Sequence, residues 1–205
     1  MLAAIPPDLP IVAVLDRLVE VLQTQNSAVL VAPPGAGKTT SVPLALLDQS
    51  WSAGKKILML APRRLAARAA AARMADLLGE AVGETVGYQV RLDKKVSART
   101  RIEVITEGIL TRRMLTDPEL SDVAAVIFDE VHERNLEGDL GLALALDIQA
   151  GLREDLRLIA MSATVEGGQL AARLGGAELI ESAGRLYPIE TFYVGRTQEQ
   201  PIEGQ

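Results

Sequence analysis

The sequence contains no cysteine and a single histidine among its 205 residues. The absence of cysteine excludes disulfides, thiolate metal ligands and a cysteine nucleophile, and a lone histidine disfavours a zinc site. Aromatic residues make up only 3% of the chain, so the core must consist of Ala, Val, Leu and Ile. No apolar run is long enough to cross a bilayer, and residues 1–10 lack the pattern of a signal peptide. We therefore expect a soluble, cytoplasmic protein.

Charge is unevenly distributed along the chain. The formal net charge is −6, which by itself argues weakly against a nucleic-acid partner. Residues 49–75 nevertheless contain six basic residues and no acidic one, and residues 91–101 contain five basic residues and one acidic residue. Residues 117–139 reverse this balance, with eight acidic residues and one arginine. Because the local field decides where phosphates bind, the net charge does not exclude nucleic acid.

Short apolar segments alternate with helical patterns. Apolar runs without alternation are typical of strands buried on both faces, and the strand–helix–strand order predicts an α/β fold with a mainly parallel sheet flanked by helices. The length fits one such domain, which we place at residues 1–195, with 196–205 as the start of a linker. The predicted strands are 28–32, 57–61, 85–90, 101–106, 123–128, 157–161, 178–181 and 189–194. The predicted helices are 11–25, 38–49, an alanine-rich segment that follows Pro62 and ends near 78, 108–116 and 136–152.

A glycine-rich loop follows the first predicted strand. Its sequence, Ala-Pro-Pro-Gly-Ala-Gly-Lys-Thr-Thr at 32–40, leads into a predicted helix, which is the context of a phosphate-binding loop. The glycines let successive backbone N–H groups face phosphate oxygens at the helix N-terminus. Lys38 is then expected to neutralise the β- and γ-phosphates, and the Thr39 hydroxyl to bind Mg²⁺. The predicted nucleotide-contacting residues here are Pro34, Gly35, Ala36, Gly37, Lys38, Thr39 and Thr40.

The loop departs from the usual motif at one position. Ala32 stands where the first glycine is expected, which weakens a strict match. The alternative interpretation is a glycine–proline turn that ends an ordinary strand–helix unit. The Gly-Lys-Thr-Thr sequence at residues 37–40 and its position after an apolar strand disfavour that alternative.

Two adjacent carboxylates end a predicted buried strand. Asp129 and Glu130 follow the apolar run 123–128, and charges in that position are costly unless they meet a cation or water. In a protein with a phosphate loop, Asp129 is expected to hold Mg²⁺ and Glu130 to orient or deprotonate the attacking water. The alternative is a solvated acidic loop. The predicted metal-site residues are Thr39, Asp129 and Glu130.

Several motifs together resemble a known family. Asp-Glu-Val-His at 129–132 resembles the DEAH box, with valine in place of alanine, and Ser-Ala-Thr at 162–164 resembles helicase motif III. Ala-Pro-Arg-Arg at 61–64 resembles motif Ia, Thr-Glu-Gly at 106–108 resembles motif Ib, and Gly-Tyr-Gln-Val-Arg at 87–91 is similar to the G-Y-x-V-R segment of DEAH helicases. The chain thus resembles the N-terminal RecA-like P-loop domain of superfamily 2 DEAH-box ATP-dependent helicases. Its phosphate loop and acidic box are most similar to the bacterial HrpB type.

The resemblance implies further roles. His132 would couple the nucleotide site to a neighbouring domain, Ser162 and Thr164 would link hydrolysis to domain movement, and Arg73 would stack on the adenine base. Each basic residue could instead be a solvated surface charge, and the Ser-Ala-Thr segment an ordinary strand-to-helix turn. The implied catalytic residues are Lys38, Asp129, Glu130, His132, Ser162 and Thr164. The implied nucleic-acid contacts are Arg63, Arg64, Arg91 and Thr106, with Glu107 and Gly108 holding the motif Ib turn.

The resemblance also implies a second RecA-like domain in the same full-length protein. In the family that domain supplies an arginine finger, which contributes about 10³–10⁵ to the rate, and residues 175–205 contain no such motif. The resemblance therefore implies an ATP-dependent helicase motor that uses ATP and Mg²⁺, with RNA favoured over DNA as its nucleic-acid partner. It implies no membrane partner, and it implies that this chain alone hydrolyses ATP poorly. A non-helicase P-loop ATPase and a nucleotide-gated binding module are the alternatives. The Ser-Ala-Thr motif disfavours the first, and Glu130 disfavours the second.

Overall fold

One mainly parallel sheet forms the centre of the protein. The computed structural model describes residues 4–164, 167–183 and 191–192, and within them eight strands form a single sheet. The strands are β1 (Ser27–Val31), β2 (Lys56–Leu60), β3 (Val86–Val90), β4 (Asp93–Lys95), β5 (Ile102–Ile105), β6 (Val123–Phe128), β7 (Arg157–Ser162) and β8 (Glu178–Glu181). Their order is β4-β3-β5-β2-β6-β7-β1-β8. Every neighbouring pair is parallel except the antiparallel pair of β3 and β4. The predicted α/β fold with a mainly parallel sheet is confirmed.

Helices cover both faces of the sheet. They are α1 (Val12–Thr24), α2 (Lys38–Leu46), α3 (Arg64–Leu78), α4 (Glu107–Thr116), α5 (Leu136–Gly151) and α6 (Gly167–Arg173). Successive side chains of a strand point to opposite faces, so Leu30 and Met59 pack with α1, α2 and α3, whereas Leu58 and Phe128 pack with α4 and α5. The remaining helix, α6, packs on the same face as α4 and α5, against Val29. This burial on both faces explains the unbroken apolar runs of the central strands.

The parallel arrangement gathers the sequence motifs at one edge of the sheet. The carboxyl ends of β1, β2, β5, β6 and β7 share that edge because these strands run in the same direction. The phosphate loop follows β1, the Ala-Pro-Arg-Arg segment follows β2, and the motif Ib turn follows β5. The acidic box follows β6, and the Ser-Ala-Thr segment overlaps the end of β7. This edge is where open α/β sheets bind their ligands.

The observed elements differ from the predicted ones in a few places. The strand β4 and the helix α6 were not predicted, and α2 ends at Leu46 instead of continuing to residue 49. The strand predicted at 189–194 lies outside the described residues apart from Thr191 and Phe192, and the predicted linker at 196–205 lies entirely outside them. Across the described ranges, no helix is both long enough and apolar enough to span a membrane.

Candidate nucleotide-binding site

The phosphate loop occupies the turn between β1 and α2. Gly35 and Gly37 have φ angles of +78° and +93°, in the left-handed region that favours glycine. A Cβ atom on Gly37 would lie 2.8 Å from the Cδ1 atom of Leu9, so glycine is also required there by the close packing of the N-terminal segment. The backbone N–H of Ile11 donates to the carbonyl oxygen of Ala36 at 3.1 Å and fixes the loop from the same side. The glycines and the N-terminal segment packed against them therefore define the shape of the loop.

The first turn of α2 provides the groups that an anion would meet. The helix begins at Lys38, with Gly37 as its N-cap and without a side-chain cap. The N–H groups of the first turn of a helix have no intrahelical partner, and the helix dipole favours negative charge at that end. The loop residues Pro34 and Gly35 are exposed, whereas Thr39 and Thr40 are half-buried. The predicted loop residues thus form an open, electropositive turn.

Lys38 reaches the acidic box at the end of β6. Its side chain is only 4% exposed, and its Nζ atom lies 2.9 Å from the Oε1 atom of Glu130. A buried ammonium group is tolerated only when it is paired, so Glu130 supplies the negative charge that a phosphate would supply in a nucleotide complex. The predicted proximity of the loop lysine and the acidic box is confirmed by this geometry.

Thr39 and Asp129 form the second contact between the loop and the acidic box. The Thr39 hydroxyl donates to Asp129 Oδ2 at 2.7 Å, and the backbone N–H of Glu130 donates to Asp129 Oδ1 at 3.0 Å. Burial raises the pKa of Asp129 to about 6, the Thr39 hydrogen bond and Lys38 oppose this, and the Glu130 carboxylate adds to it. A hydroxyl and a carboxylate oxygen so close together are the hard oxygen donors that Mg²⁺ prefers. Their arrangement fits the predicted metal site.

His132 connects the acidic box to the Ser-Ala-Thr segment. Its Nδ1 atom accepts the backbone N–H of Ala163 at 3.3 Å, and the same atom lies 3.3 Å from Glu130 Oε2. The imidazole of His132 therefore lies between Glu130 and the turn that follows β7. The Oγ atom of buried Ser162 accepts the backbone N–H of Thr164 at 3.2 Å, which holds the turn that presents Ala163.

The predicted nucleic-acid residues lie along the same edge of the sheet. Arg63, just before α3, has a side chain that is 75% exposed and lies 3.5 Å from a carboxylate oxygen of Glu133. Arg64 begins α3, and Arg91 lies in the turn between β3 and β4; both are exposed. Thr106 is the N-cap of α4. The structure therefore places these residues at the same edge of the sheet as the nucleotide site, with Arg91 farthest from it in the strand order.

Two predicted residues have contacts that their predicted roles did not anticipate. Glu107 accepts a hydrogen bond from the Asn135 side chain at 2.7 Å, which ties the motif Ib turn to the start of α5. Arg73 is exposed on α3, and its ion pair in the described residues is with Asp76 of the same helix, at 3.1 Å. The structure does not join Arg73 to the phosphate loop by a side-chain contact within the described ranges.

The residues that follow the acidic box were not assigned roles from the sequence. Glu133 contacts Arg63, and Asn135 contacts Glu107, so two neighbours of the box contact two of the three segments predicted to bind nucleic acid. The available sequence signal was Asn135 itself, because asparagine before an apolar helical pattern is typical of an N-cap. That signal predicts the helix start and not the contact with Glu107.

The fold and this constellation of motifs are those of a helicase motor domain. The model of the DEAD/DEAH box helicase family matches residues 15–172, and the chain belongs to that family. It is 50% identical over 186 residues to the ATP-dependent RNA helicase HrpB of Escherichia coli (strain K12), which covers 91% of this chain and 23% of that protein. The assignment to the DEAH helicases of the HrpB type is therefore confirmed.

Two solved structures agree with this assignment. The Escherichia coli DEAH/RHA helicase HrpB superimposes with a TM-score of 0.88 at 48% identity, covering 96% of this chain and 25% of that one. The E. coli DExH-box NTPase HrpB superimposes with a TM-score of 0.84 at 47% identity, covering 97% of this chain and 24% of that one. The chain thus spans about a quarter of the length of the relatives that it matches.

Proposed function

We propose that this chain is the ATP- and Mg²⁺-binding half of a motor that couples ATP hydrolysis to movement along RNA. The observation that carries the proposal is the pair of contacts between the start of α2 and the end of β6. Lys38 lies 2.9 Å from Glu130, and Thr39 lies 2.7 Å from Asp129. These four side chains are of the types that phosphoryl transfer requires, namely a lysine for the phosphates, a hydroxyl and a carboxylate for the metal, and a second carboxylate for the attacking water.

The ion pair between Lys38 and Glu130 suggests how nucleotide binding prepares the site. A β- or γ-phosphate carries more charge than a carboxylate and can accept from Lys38 and from the N–H groups of the first turn of α2. Phosphate would therefore replace Glu130 as the partner of Lys38. Glu130 is then free to accept a hydrogen bond from the water that attacks the γ-phosphate.

The metal site would be completed by the nucleotide. Thr39 and Asp129 would hold Mg²⁺, which neutralises charge on the β- and γ-phosphates when it is bound. Within the described part of the chain, no group of three or more His, Asp or Glu side chains is placed to hold a metal ion without other ligands. A site that shares its ligands with phosphate oxygens and water is ordinary for Mg²⁺. Above its pKa of about 6, Asp129 carries the charge that this role needs.

The nucleic-acid contacts would lie beside the nucleotide site. The side chains of Arg63, Arg64 and Arg91 are exposed cations that can bind phosphate oxygens. The N-terminus of α4 at Thr106 also favours a negatively charged group such as a phosphate. These arginines would contact the sugar–phosphate backbone of the nucleic acid, which carries no sequence information. RNA is proposed over DNA because a relative at 50% identity is named an RNA helicase. Arg73 is proposed to stack on the nucleotide base once its exposed ion pair with Asp76 opens.

The proposal is tested by measuring ATP hydrolysis of the full-length protein with RNA, with single-stranded DNA and with neither. We expect stimulation by RNA. Lys38→Ala should abolish nucleotide binding, and Glu130→Gln should keep binding but reduce turnover by about 10²–10⁴. Lys55→Ala is the matched control, because this exposed lysine pairs with Asp155 away from the motifs and should leave turnover unchanged.

This chain alone should bind nucleotide weakly and hydrolyse it about 10³–10⁵-fold more slowly than the full-length protein, because the arginine finger is expected from a second domain. The measurement is single-turnover hydrolysis with the 205-residue chain in excess over nucleotide. Vigorous, nucleic-acid-stimulated turnover by the chain alone would contradict this division of the site. Full activity of Glu130→Gln would contradict the catalytic assignment itself.

A further inference from the structure

Two of the three residues after the acidic box contact segments that were predicted to bind nucleic acid. Glu133 lies 3.5 Å from Arg63 in the Ala-Pro-Arg-Arg segment, and Asn135 hydrogen-bonds to Glu107 in the motif Ib turn. The first contact is between exposed side chains and contributes little energy. The second is a short hydrogen bond from an amide to a carboxylate, which is the stronger type. The contact through Asn135 is therefore the better candidate for a link between the two sites.

Asn135 uses both ends of its side chain. Its Oδ1 atom accepts the backbone N–H of Gly138 at 2.8 Å and caps α5, and its Nδ2 atom donates to Glu107 Oε1 at 2.7 Å. The cap needs only an acceptor, and serine, threonine or aspartate would supply it equally well. The contact with Glu107 needs a donor, which aspartate lacks and which asparagine supplies through its amide group while it caps the helix through its oxygen.

Gly138, in the first turn of α5, lies close to the Glu107 carboxylate. A Cβ atom on Gly138 would lie 2.9 Å from Glu107 Oε1, so a larger residue at position 138 would displace this carboxylate. Burial raises the pKa of Glu107, the Asn135 hydrogen bond opposes that effect, and the carboxylates of Glu137 and Glu133 add to it. A carboxylate in an acidic, half-buried position needs a donor, and Asn135 is that donor.

The segment between the catalytic carboxylate and Asn135 has an unusual backbone. Glu130 and Arg134 have φ angles of +54° and +42°, and they flank the short 3₁₀ turn Val131–Glu133. Non-glycine residues in this region are strained and are held there by their surroundings. A small cleft, lined by Asp129, Glu130, Glu107 and Asn135 among others, lies beside this segment. The strained backbone of this segment would favour a movement, and the adjacent cleft would give it space, when Glu130 is no longer paired with Lys38.

We propose that Asn135 is a positioning residue that couples nucleotide binding at Glu130 to nucleic-acid binding by the motif Ib turn at residues 106–108. The inference rests on the proposed function. When phosphate replaces Glu130 on Lys38, the 3₁₀ turn shifts, and Asn135 carries the shift to Glu107 and to the N-terminus of α4. Asn135 contacts neither nucleotide nor nucleic acid in this role, and it acts through Glu107 alone.

The test measures RNA affinity of the full-length protein with and without an ATP analogue. The readout is the fluorescence anisotropy of a labelled oligouridine, titrated in Mg²⁺ with either no nucleotide or ADP–beryllium fluoride. The ratio of the two dissociation constants measures the coupling and should be on the order of tenfold for the unaltered protein. Asn135→Asp keeps the helix cap but opposes Glu107 with a second carboxylate, and it should reduce the ratio to within about twofold.

Reversing the polarity of the hydrogen bond should restore the coupling. In the double variant Glu107→Gln with Asn135→Asp, the glutamine amide can donate to the aspartate, so the ratio should return towards that of Glu107→Gln alone. Leu136→Asp is the control for added charge, because it places a carboxylate at an 83% exposed neighbouring position. This control should change RNA affinity equally with and without the analogue and leave the ratio unchanged.

The outcomes separate the two proposals. Failure of the unaltered protein to bind nucleotide or RNA would overturn the proposed function, and this inference with it. An unaltered protein that shows coupling, together with an Asn135→Asp variant that retains the full ratio, would overturn the inference alone. An equal loss of coupling in Asn135→Asp whether position 107 is glutamate or glutamine would also overturn it, because the effect would then not pass through Glu107.

Discussion

Replacing Asp129 with asparagine should stabilise the nucleotide-free protein at neutral pH. Burial is the main reason that the pKa of Asp129 rises from its ordinary 3.8 to about 6. An acid with a higher pKa in the folded state contributes stability that is fully present below pH 3.8 and lost as the pH rises through about 6. At neutral pH the ionised carboxylate therefore costs about 3 kcal/mol of folding free energy.

Asparagine should recover most, but not all, of that cost. It is neutral, it can accept the backbone N–H of Glu130, and its amide group can donate to the Thr39 hydroxyl in place of the present hydrogen bond. Its amide must still be desolvated, so we expect a gain of about 2 kcal/mol, which corresponds to a rise in melting temperature on the order of 5 °C for a domain of this size. The variant should meanwhile lose Mg²⁺-dependent nucleotide binding.

The assay is thermal unfolding without nucleotide or metal between pH 4 and pH 8. The difference between Asp129→Asn and the unaltered protein should be small at pH 4, grow as the pH rises towards 6 and stay constant above about pH 7. Asp147→Asn, at an exposed position on α5, is the control and should change stability by less than about 0.5 kcal/mol. A variant that is less stable at pH 7.5, or a difference that does not depend on pH, would refute this reasoning.

Three further substitutions test the packing of the sheet and its helices. Arg153→Met removes a buried guanidinium that donates to three main-chain carbonyl groups, and should lower the unfolding free energy in urea by about 3 kcal/mol. Arg113→Met removes one of the two cations that pair with the 3% exposed carboxylate of Glu103, and because Lys56 remains 2.8 Å away it should cost about 1.5–3 kcal/mol. Gly87→Ala places a Cβ atom 2.4 Å from the carbonyl oxygen of Lys95, and should speed hydrogen exchange in β3 and β4 before the rest of the sheet.

The sequence predicts elements best where burial alone determines them. The strand β6 consists of six consecutive buried residues, and it was predicted at its observed bounds because no exposed position interrupts the pattern. The strand β4, Asp93–Lys95, is short and polar, and it exists only because β3 offers an edge to pair with. The helix α6 begins with Gly167 and Gly168, which disfavour a helix, and packing against Val31 and Leu179 stabilises it instead.

The site was predicted at the level of motifs and not of atoms. Parallel strands place their carboxyl ends at one edge, so the proximity of the phosphate loop to the acidic box followed from the order of the elements. The pairing of Lys38 with Glu130, and of Thr39 with Asp129, depends on side-chain conformations that the sequence does not specify. The contact between Asn135 and Glu107 depends on how two helices approach each other, which no local pattern encodes.

The segment before α1 packs directly against the phosphate loop. Leu9 packs against Gly37, the backbone of Ile11 holds the carbonyl group of Ala36, and Ile11 itself is fully buried. A bound nucleotide would therefore rest on a turn whose far side is hydrophobic core, and the turn cannot widen without opening that core. Trimming or tagging the chain before residue 11 would thus alter how tightly ATP is held, although no group that touches ATP would have been changed.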